Sequence, residues 1–441
     1  MKILFFNNIG LLLLTGLVNA SSPIGWGRNT TGGEGGVVYH VTTYNELRKA
    51  LDNHGKSNEP KIIYIESVIN GIENEDGSRI DLPGLVPGYS FEKYVSCFTE
   101  DGSEWLDTTE CNALTALMKQ GRTLQNNQVH LSVPPNTTII GNGREGRLKE
   151  ISLQVRHTKN VIIKDLFIEA PNDYFPKFKP TDGIHGTWNA EYDTIVMKNC
   201  TNIWIDNCYL SDGSTGLDTQ PVIFGQPVET HDGLIDIVDA ASDITISNNR
   251  FENHKKTILI GNSDNRPTDI DRLKVTLYNN VFINCVERLP RVRYGKVHIF
   301  NNYYYAITFN SAYPSYTVDN YYHDTKVFPH YFIGLGVYSN ILSEYNSFNY
   351  HGNKEIPASE DIIVYSYGGS IFHDNGSEYN GKTLNIDTLA SKSFHIKSNV
   401  RMEQDRAKEY LVQIGLMKRL PPTLLFHVNT TIIRWKQILR W

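Results

Sequence analysis

The stretch KVTLYNNVFIN runs from Lys274 to Asn284, and KVHIFNNYYYA follows from Lys296 to Ala306. The two align without a gap. Each opens with apolar residues at alternate positions, Val275 and Leu277 in the first, Val297 and Ile299 in the second. A period of two marks a strand with one face buried. The Asn-Asn pair then ends the strand, because asparagine adopts turn conformations that most side chains resist. Working outward, the pattern recurs at NVIIKDLFIEA from Asn160, NIWIDNCYLSD from Asn202 and DITISNNRFEN from Asp243. Aligned, these units place Asp165, Asn207, Asn248, Asn279 and Asn301 in one column. Such a column at equivalent bends predicts an asparagine ladder between stacked coils. The units start about 42, 41, 31 and 22 residues apart. That fits a coil of roughly 22 residues with loops let out of some turns. A propeller would repeat at roughly 40 to 50 residues with antiparallel hairpins. A sandwich would turn about every 8 to 12 residues. The prediction is an all-β, single-stranded parallel β-helix with long loop excursions. Outward residues of successive coils then stack beside one another and can build one groove from distant parts of the sequence.

The rest of the chain sets the context. It has 441 residues and a formal charge of −6, which excludes a general polycation built for nucleic acid. At the N-terminus, Lys2 precedes an apolar run from Ile9 to Val18, and Val18-Asn19-Ala20 offers small residues before Ser21. This reads as a signal peptide over residues 1–20, so the protein is expected to be secreted and extracellular. The run is too short for a membrane span, and no membrane partner is expected. A secreted chain can form disulfides. Cys97 and Cys111 share a polar loop and are the preferred pair; Cys200 and Cys208 pair or remain core thiols, and Cys285 is left over. Sequons at Asn29, Asn136, Asn199, Asn375 and Asn429 offer glycan sites that chance explains equally well.

Two groups of charged residues fall on neighbouring predicted coils. WNAEYDTIVM carries Glu191 and Asp193, and HDGLIDIVD carries Asp232 and Asp236. Spacings of two and four keep each pair on one face of an extended chain. Were the faces to meet, the acids could not all stay ionised without a cation, and oxygen-only ligands favour Ca²⁺. Separate solvated acids explain the spacing equally well. NHKKTILIG supplies Lys255 and Lys256, and ERLPRVRYG supplies Arg288, Arg291 and Arg293. Pro290 places Arg288 before a bend, with Arg291 and Arg293 on one face after it. Ordinary surface ion pairs are the competing reading. Together, a metal site beside cations would suit a polyanionic polymer whose carboxylates bridge the two.

The ordered set GWGRNTTGGEGGVVYHVTTYNELRKAL, PKIIYIESVINGI, TTIIGNGREG, PTDGIHGTWNAEYDTI, NIWIDN, HDGLIDI, NHKKTILIGNSD and ERLPRVRYGKVHIFNN resembles the pectate lyases of polysaccharide lyase family 1. The resemblance runs from Gly25 to about Tyr350. It implies a right-handed parallel β-helix over residues 21–390 and β-elimination in de-esterified pectin, the polygalacturonate or pectate polysaccharide, by a monomer. It implies that Glu191, Asp193, Asp232 and Asp236 hold Ca²⁺. Arg288 would be the base that takes the C5 proton, giving 4,5-unsaturated oligogalacturonides, and Lys256 and Arg293 would bind substrate carboxylates. A guanidinium is a reluctant base, so nearby Ca²⁺, Lys256 and Arg293 are expected to push its pKa down. The chain departs from the pattern at Asn207, where a histidine is usual, and at Val238, where a cation is frequent. The segment 391–441, with a helix expected over 402–420, resembles no family terminus. The alternative is an inactive or non-catalytic pectate-binding homologue.

Overall fold

The structure is a computed structural model describing residues 22–182, 186–216, 219–307, 330–351 and 362–393. The expected signal peptide, the helix over 402–420 and Asn429 lie outside the described residues. Three sheets run the length of the molecule. Two are ten-stranded and begin with Val37–Val41 and Val68–Asn70; the third is eight-stranded and begins with His130–Ser132. A coil contributes one strand to each sheet. Thus Gly233–Val238, Ser242–Ser247 and Arg250–Glu252 lie under Lys256–Ile260, Lys274–Tyr278 and Val281–Ile283, paired parallel throughout. This is the expected parallel β-helix.

Two features of the sequence impose the coil. The first is the apolar half of each alternation, which points inward and stacks on its equivalent. In the first sheet Ile63, Ile139, Ile163, Ile205, Ile246, Leu277 and Ile299 form one column, each with 0% exposure. Each such side chain contributes roughly 1.5–3 kcal/mol through burial. A second column stacks Phe251, Phe282, Tyr304 and Phe348, with ring centroids 4.9, 4.8 and 4.6 Å apart. The second feature is the Asn pair. Asp165, Asn207, Asn248, Asn279 and Asn301 all take the left-handed conformation, φ between 50° and 58°, which turns the chain out of the first sheet.

The expected ladder needs correcting by one residue. The predicted column does bond between coils at the surface, as from Asn301 Nδ2 to Asn279 Oδ1 at 2.6 Å. It is not continuous, because Asn248 donates to Asp206 rather than to Asn207. The buried ladder is the following residue. Asn249, Asn280, Asn302 and Asn346 link amide to amide at 3.0, 2.9 and 3.0 Å, and each accepts the backbone N–H below it. The left-handed residue turns its own side chain outward and leaves its neighbour pointing into the corner.

Other segments close and widen the cylinder. The helix Tyr44–Asp52, opened by a Thr43–Glu46 capping box, buries Leu47 and Leu51 over the first coil. The helix Ile386–Ser393 covers the last coil with Ile386 and Ala390 and spans the expected boundary at 390. Between Asn70 and His130 a long excursion carries the helices Phe91–Val95 and Thr109–Val129, joined by the Cys97–Cys111 disulfide. That pairing was expected. Cys200, Cys208 and Cys285 are buried thiols, so the Cys200–Cys208 option does not occur. The excursion packs a separate core of Tyr94, Phe98 and Met118 against Phe178, Trp188 and Tyr192. It thereby stands beside the third sheet.

Candidate active site

All seven residues expected at the site lie on or beside the third sheet. Asp236 sits within the strand Gly233–Val238, with Asp232 just before it and Asp193 just before the neighbouring strand Ile195–Lys198. Lys256 opens the next strand, directly opposite Gly233 and bridged to Glu287. Arg288 precedes the strand Arg291–Val292 in the left-handed conformation, φ 63°, beside the cis Leu289–Pro290 bond. The bend expected from Pro290 is therefore present.

The structure brings two of the four carboxylates together. A Cβ built on Gly233 would lie 2.7 Å from both Asp193 Oδ1 and Asp236 Oδ1. The missing side chain leaves a small oxygen-lined cradle. The backbone N–H of Gly233 donates to Asp193 Oδ1 at 2.8 Å, whereas Asp236 Oδ1 is buried with no hydrogen-bond partner. Burial and then neighbouring carboxylates push both carboxyls up, Asp236 to about 7 by burial and Asp232, and Asp193 well above its ordinary value by burial, Asp236 and Asp232. An orphaned buried oxygen and two strained carboxylates fit a hard cation with oxygen ligands. The other two acids are turned to cations of the protein. Glu191 accepts from Arg122 Nη1 at 2.9 Å, and Asp232 Oδ1 lies 3.2 Å from Lys256 Nζ. Accordingly, no group of three or more metal-ligating side chains converges among the described residues.

The cations are also held. Lys256 lies 2.9 Å from Glu229 as well as facing Asp232. Burial pulls its ammonium down, but Asp232 and Glu229 outweigh this and the net shift is up. Arg293 donates to Asp264 at 2.5 Å and to the Gly261 carbonyl at 2.9 Å. Its guanidinium is depressed, mainly by burial and then by Arg291. Arg291 lies 3.9 Å over the ring of Tyr367.

The protein's own groups, the expected Ca²⁺ apart, do not lower the Arg288 pKa. Burial acts downward, but Glu287, Tyr331, Asp236 and Asp232 together drive it up. Glu287 Oε1 lies 4.0 Å from Arg288 Nε, while Glu287 itself is held by His330 at 3.2 Å. Arg288 Nε is buried and makes no hydrogen bond.

Sequence reasoning missed Arg122, Glu229 and Asp173. Arg122 comes from the helix Thr109–Val129, about 70 residues before its partner Glu191. Asp173, pushed up to about 6 by burial against the pull of Arg122, bonds the Glu191 N–H at 3.0 Å. Glu229 is buried between Lys255 and Lys256. All three come from segments outside the repeat, a helix for Arg122 and loops for Asp173 and Glu229, which carry no strand period to reveal them. Glu229, three residues before Asp232, and Asp173, three residues after Ala170, lay near segments already singled out. Val238, where a cation was noted as frequent, is buried. Asn207 belongs to the surface column of the first sheet, bonded to Asp165 at 2.7 Å, and not to the site.

The class defined so far is a parallel β-helix with a carboxylate and arginine face on one sheet. A family model described as pectate lyase matches residues 108–414, running past the expected boundary at 390. The chain is 34% identical over 368 residues to the pectate lyase of Bacillus subtilis strain 168, covering 82% of each. It is 34% identical over 391 residues to pectate lyase D of Dickeya chrysanthemi, covering 87% of this chain and 84% of that one. A solved structure on the substrate specificity and anti β-elimination mechanism of pectate lyase superposes with a TM-score of 0.73 at 30% identity, over 86% of this chain and 94% of its own. The chain belongs to the pectate lyase family, a family of polysaccharide lyases.

Proposed function

We propose that the protein is a secreted, Ca²⁺-dependent pectate lyase that cleaves polygalacturonate by β-elimination. The observation that carries this reading is the Asp193–Asp236 cradle, with its orphaned buried oxygen, on the same sheet as Arg288. Asp193 and Asp236 would hold the ion, joined by Asp232 and Glu191 once these leave Lys256 and Arg122. Bound there, Ca²⁺ supplies positive charge against the uronate carboxylate next to C5. Lys256 and Arg293 bind further substrate carboxylates and resist build-up of negative charge. Arg288, as the neutral guanidine, takes the C5 proton. The C5–H electrons become the C4–C5 double bond, the C4–O bond breaks, and the departing oxygen takes up a proton. The product is a 4,5-unsaturated oligogalacturonide, and no water is added across the bond.

Secretion is supported by the basic and apolar start before Ser21 and by the Cys97–Cys111 disulfide. No described helix is long and apolar enough to cross a membrane. Asn29, Asn199 and Asn375 are exposed and can take glycans, whereas Asn136 is half-buried and bonded to Asn160. We take the working unit to be a monomer.

The test is ultraviolet absorbance of unsaturated product from polygalacturonate, with added Ca²⁺ and with a chelator. The expected result is a rising signal that chelation abolishes and that Arg288→Ala removes without loss of substrate binding. Folded wild-type protein that binds polygalacturonate but gives no signal, with or without Ca²⁺, would favour the non-catalytic reading instead.

A further inference from the structure

The excursion between Asn70 and His130 has so far served only to widen the molecule. Its long helix nevertheless reaches the carboxylate site through a single side chain. Arg122 donates from Nε to the Phe175 carbonyl at 3.0 Å, from Nη1 to Glu191 Oε2 at 2.9 Å, and from Nη2 toward Asp173 Oδ2 at 3.5 Å. Asp173 in turn accepts the N–H groups of Glu191 and Phe175 at 3.0 and 2.8 Å. The guanidinium is thus fixed by a buried carboxylate and a carbonyl, neither of which can leave. Glu191 differs. Its side chain is 47% exposed, and among the described residues Arg122 is the partner of its carboxylate. Glu191 is the exposed member of an otherwise largely buried set.

We propose that Arg122 is a built-in competitor for Glu191, holding it off the Asp193–Asp236 cradle and so setting the affinity for the divalent cation. The proposal rests on the Ca²⁺ reading above. A metal-bound Glu191 must exchange one charged partner for another, and the exchange subtracts the Arg122 pair from the binding energy. Arg122 keeps Asp173 and Phe175 in both states, so its own position need not change. The device links the disulfide-braced excursion to the site without any contact with the polymer. It also accounts for Glu191 being turned to a protein cation in this structure. Asp232 is held similarly by Lys256, but Lys256 belongs to the substrate-binding set, whereas Arg122 has no other part in the reaction.

The test is calorimetric titration of Ca²⁺ alone, with no substrate, into wild-type protein and Arg122→Gln. The expected result is about fivefold tighter binding in the variant, the size of one half-exposed ion pair. Because Arg122→Gln leaves Asp173 without its cation, Arg122→Gln/Asp173→Asn is measured alongside it, and it too should bind more tightly than wild type. Glu191→Gln in each background should remove the gain. Equal or weaker binding in both folded Arg122 variants overturns the proposal, since Arg122 would then be neutral or would orient Glu191 as a ligand. Wild-type protein that binds no Ca²⁺ overturns the underlying metal reading instead.

Discussion

At the scale of single residues, the site is defined by groups left in electrostatic conflict. Asp236 and Asp193 are raised, so the folded chain holds protons that the unfolded chain releases at about 4. The stability they contribute is present below that value and lost as pH rises through about 7, where Asp236 ionises. In chelator, the melting temperature should therefore fall between roughly pH 4 and 8, by a loss on the order of 4 kcal/mol for Asp236. Asp236→Asn should flatten that fall, and Ca²⁺ should abolish it; equal slopes for wild type and variant would refute the assignment. Arg288 sets the second dependence. Its anionic neighbours hold the proton on, so the neutral form is scarce at neutral pH and grows about tenfold per pH unit. Product formation should climb with a slope near one from neutral to alkaline pH, and a peak in the acid range would remove Arg288 from the role of base.

At the scale of strands and turns, the alternation and the Asn pairs specify the coil. Which asparagine of each pair is buried depends on the corner, where a left-handed first residue reverses the outward and inward order. Asn280 is the test. It donates to Asn302 and to the Ile246 carbonyl, and accepts from the backbone and side chain of Asn249. Asn280→Ala strands several buried partners at once and should cost roughly 2–4 kcal/mol in urea denaturation. The same change at surface Asn279 should cost far less, and equal costs would place the ladder in the wrong column. The glycine-rich start of the matching region follows the same logic of close approach. A Cβ on Gly33 would fall 1.8 Å from the Lys61 carbonyl, so the segment can lie flat across the first sheet only as glycine.

At the scale of the whole molecule, a uniform cylinder carries an excursion with its own core. The Cys97–Cys111 bond closes a short loop within that excursion and crosses no coil boundary. Removing it as Cys97→Ser/Cys111→Ser should speed amide exchange across residues 91–129 and leave the three sheets protected as before. Uniform acceleration through the sheets would mean that excursion and cylinder unfold as one unit. Through Arg122, loosening the excursion should also alter the metal site, although it lies on the other element.

By itself the sequence determined the coil, because period and bend chemistry are local and repeat in every turn. It also singled out the acids and arginines by type, since both clusters lie on or beside strands of successive coils. Tertiary structure decided their states. Asp193 meets Asp236 only because Gly233 leaves room, Glu191 turns to an arginine about 70 residues away, and neighbouring anions outweigh burial at Arg288. Pairing and proton affinity depend on distance and burial across coils and loops, and neither quantity has a period along the chain.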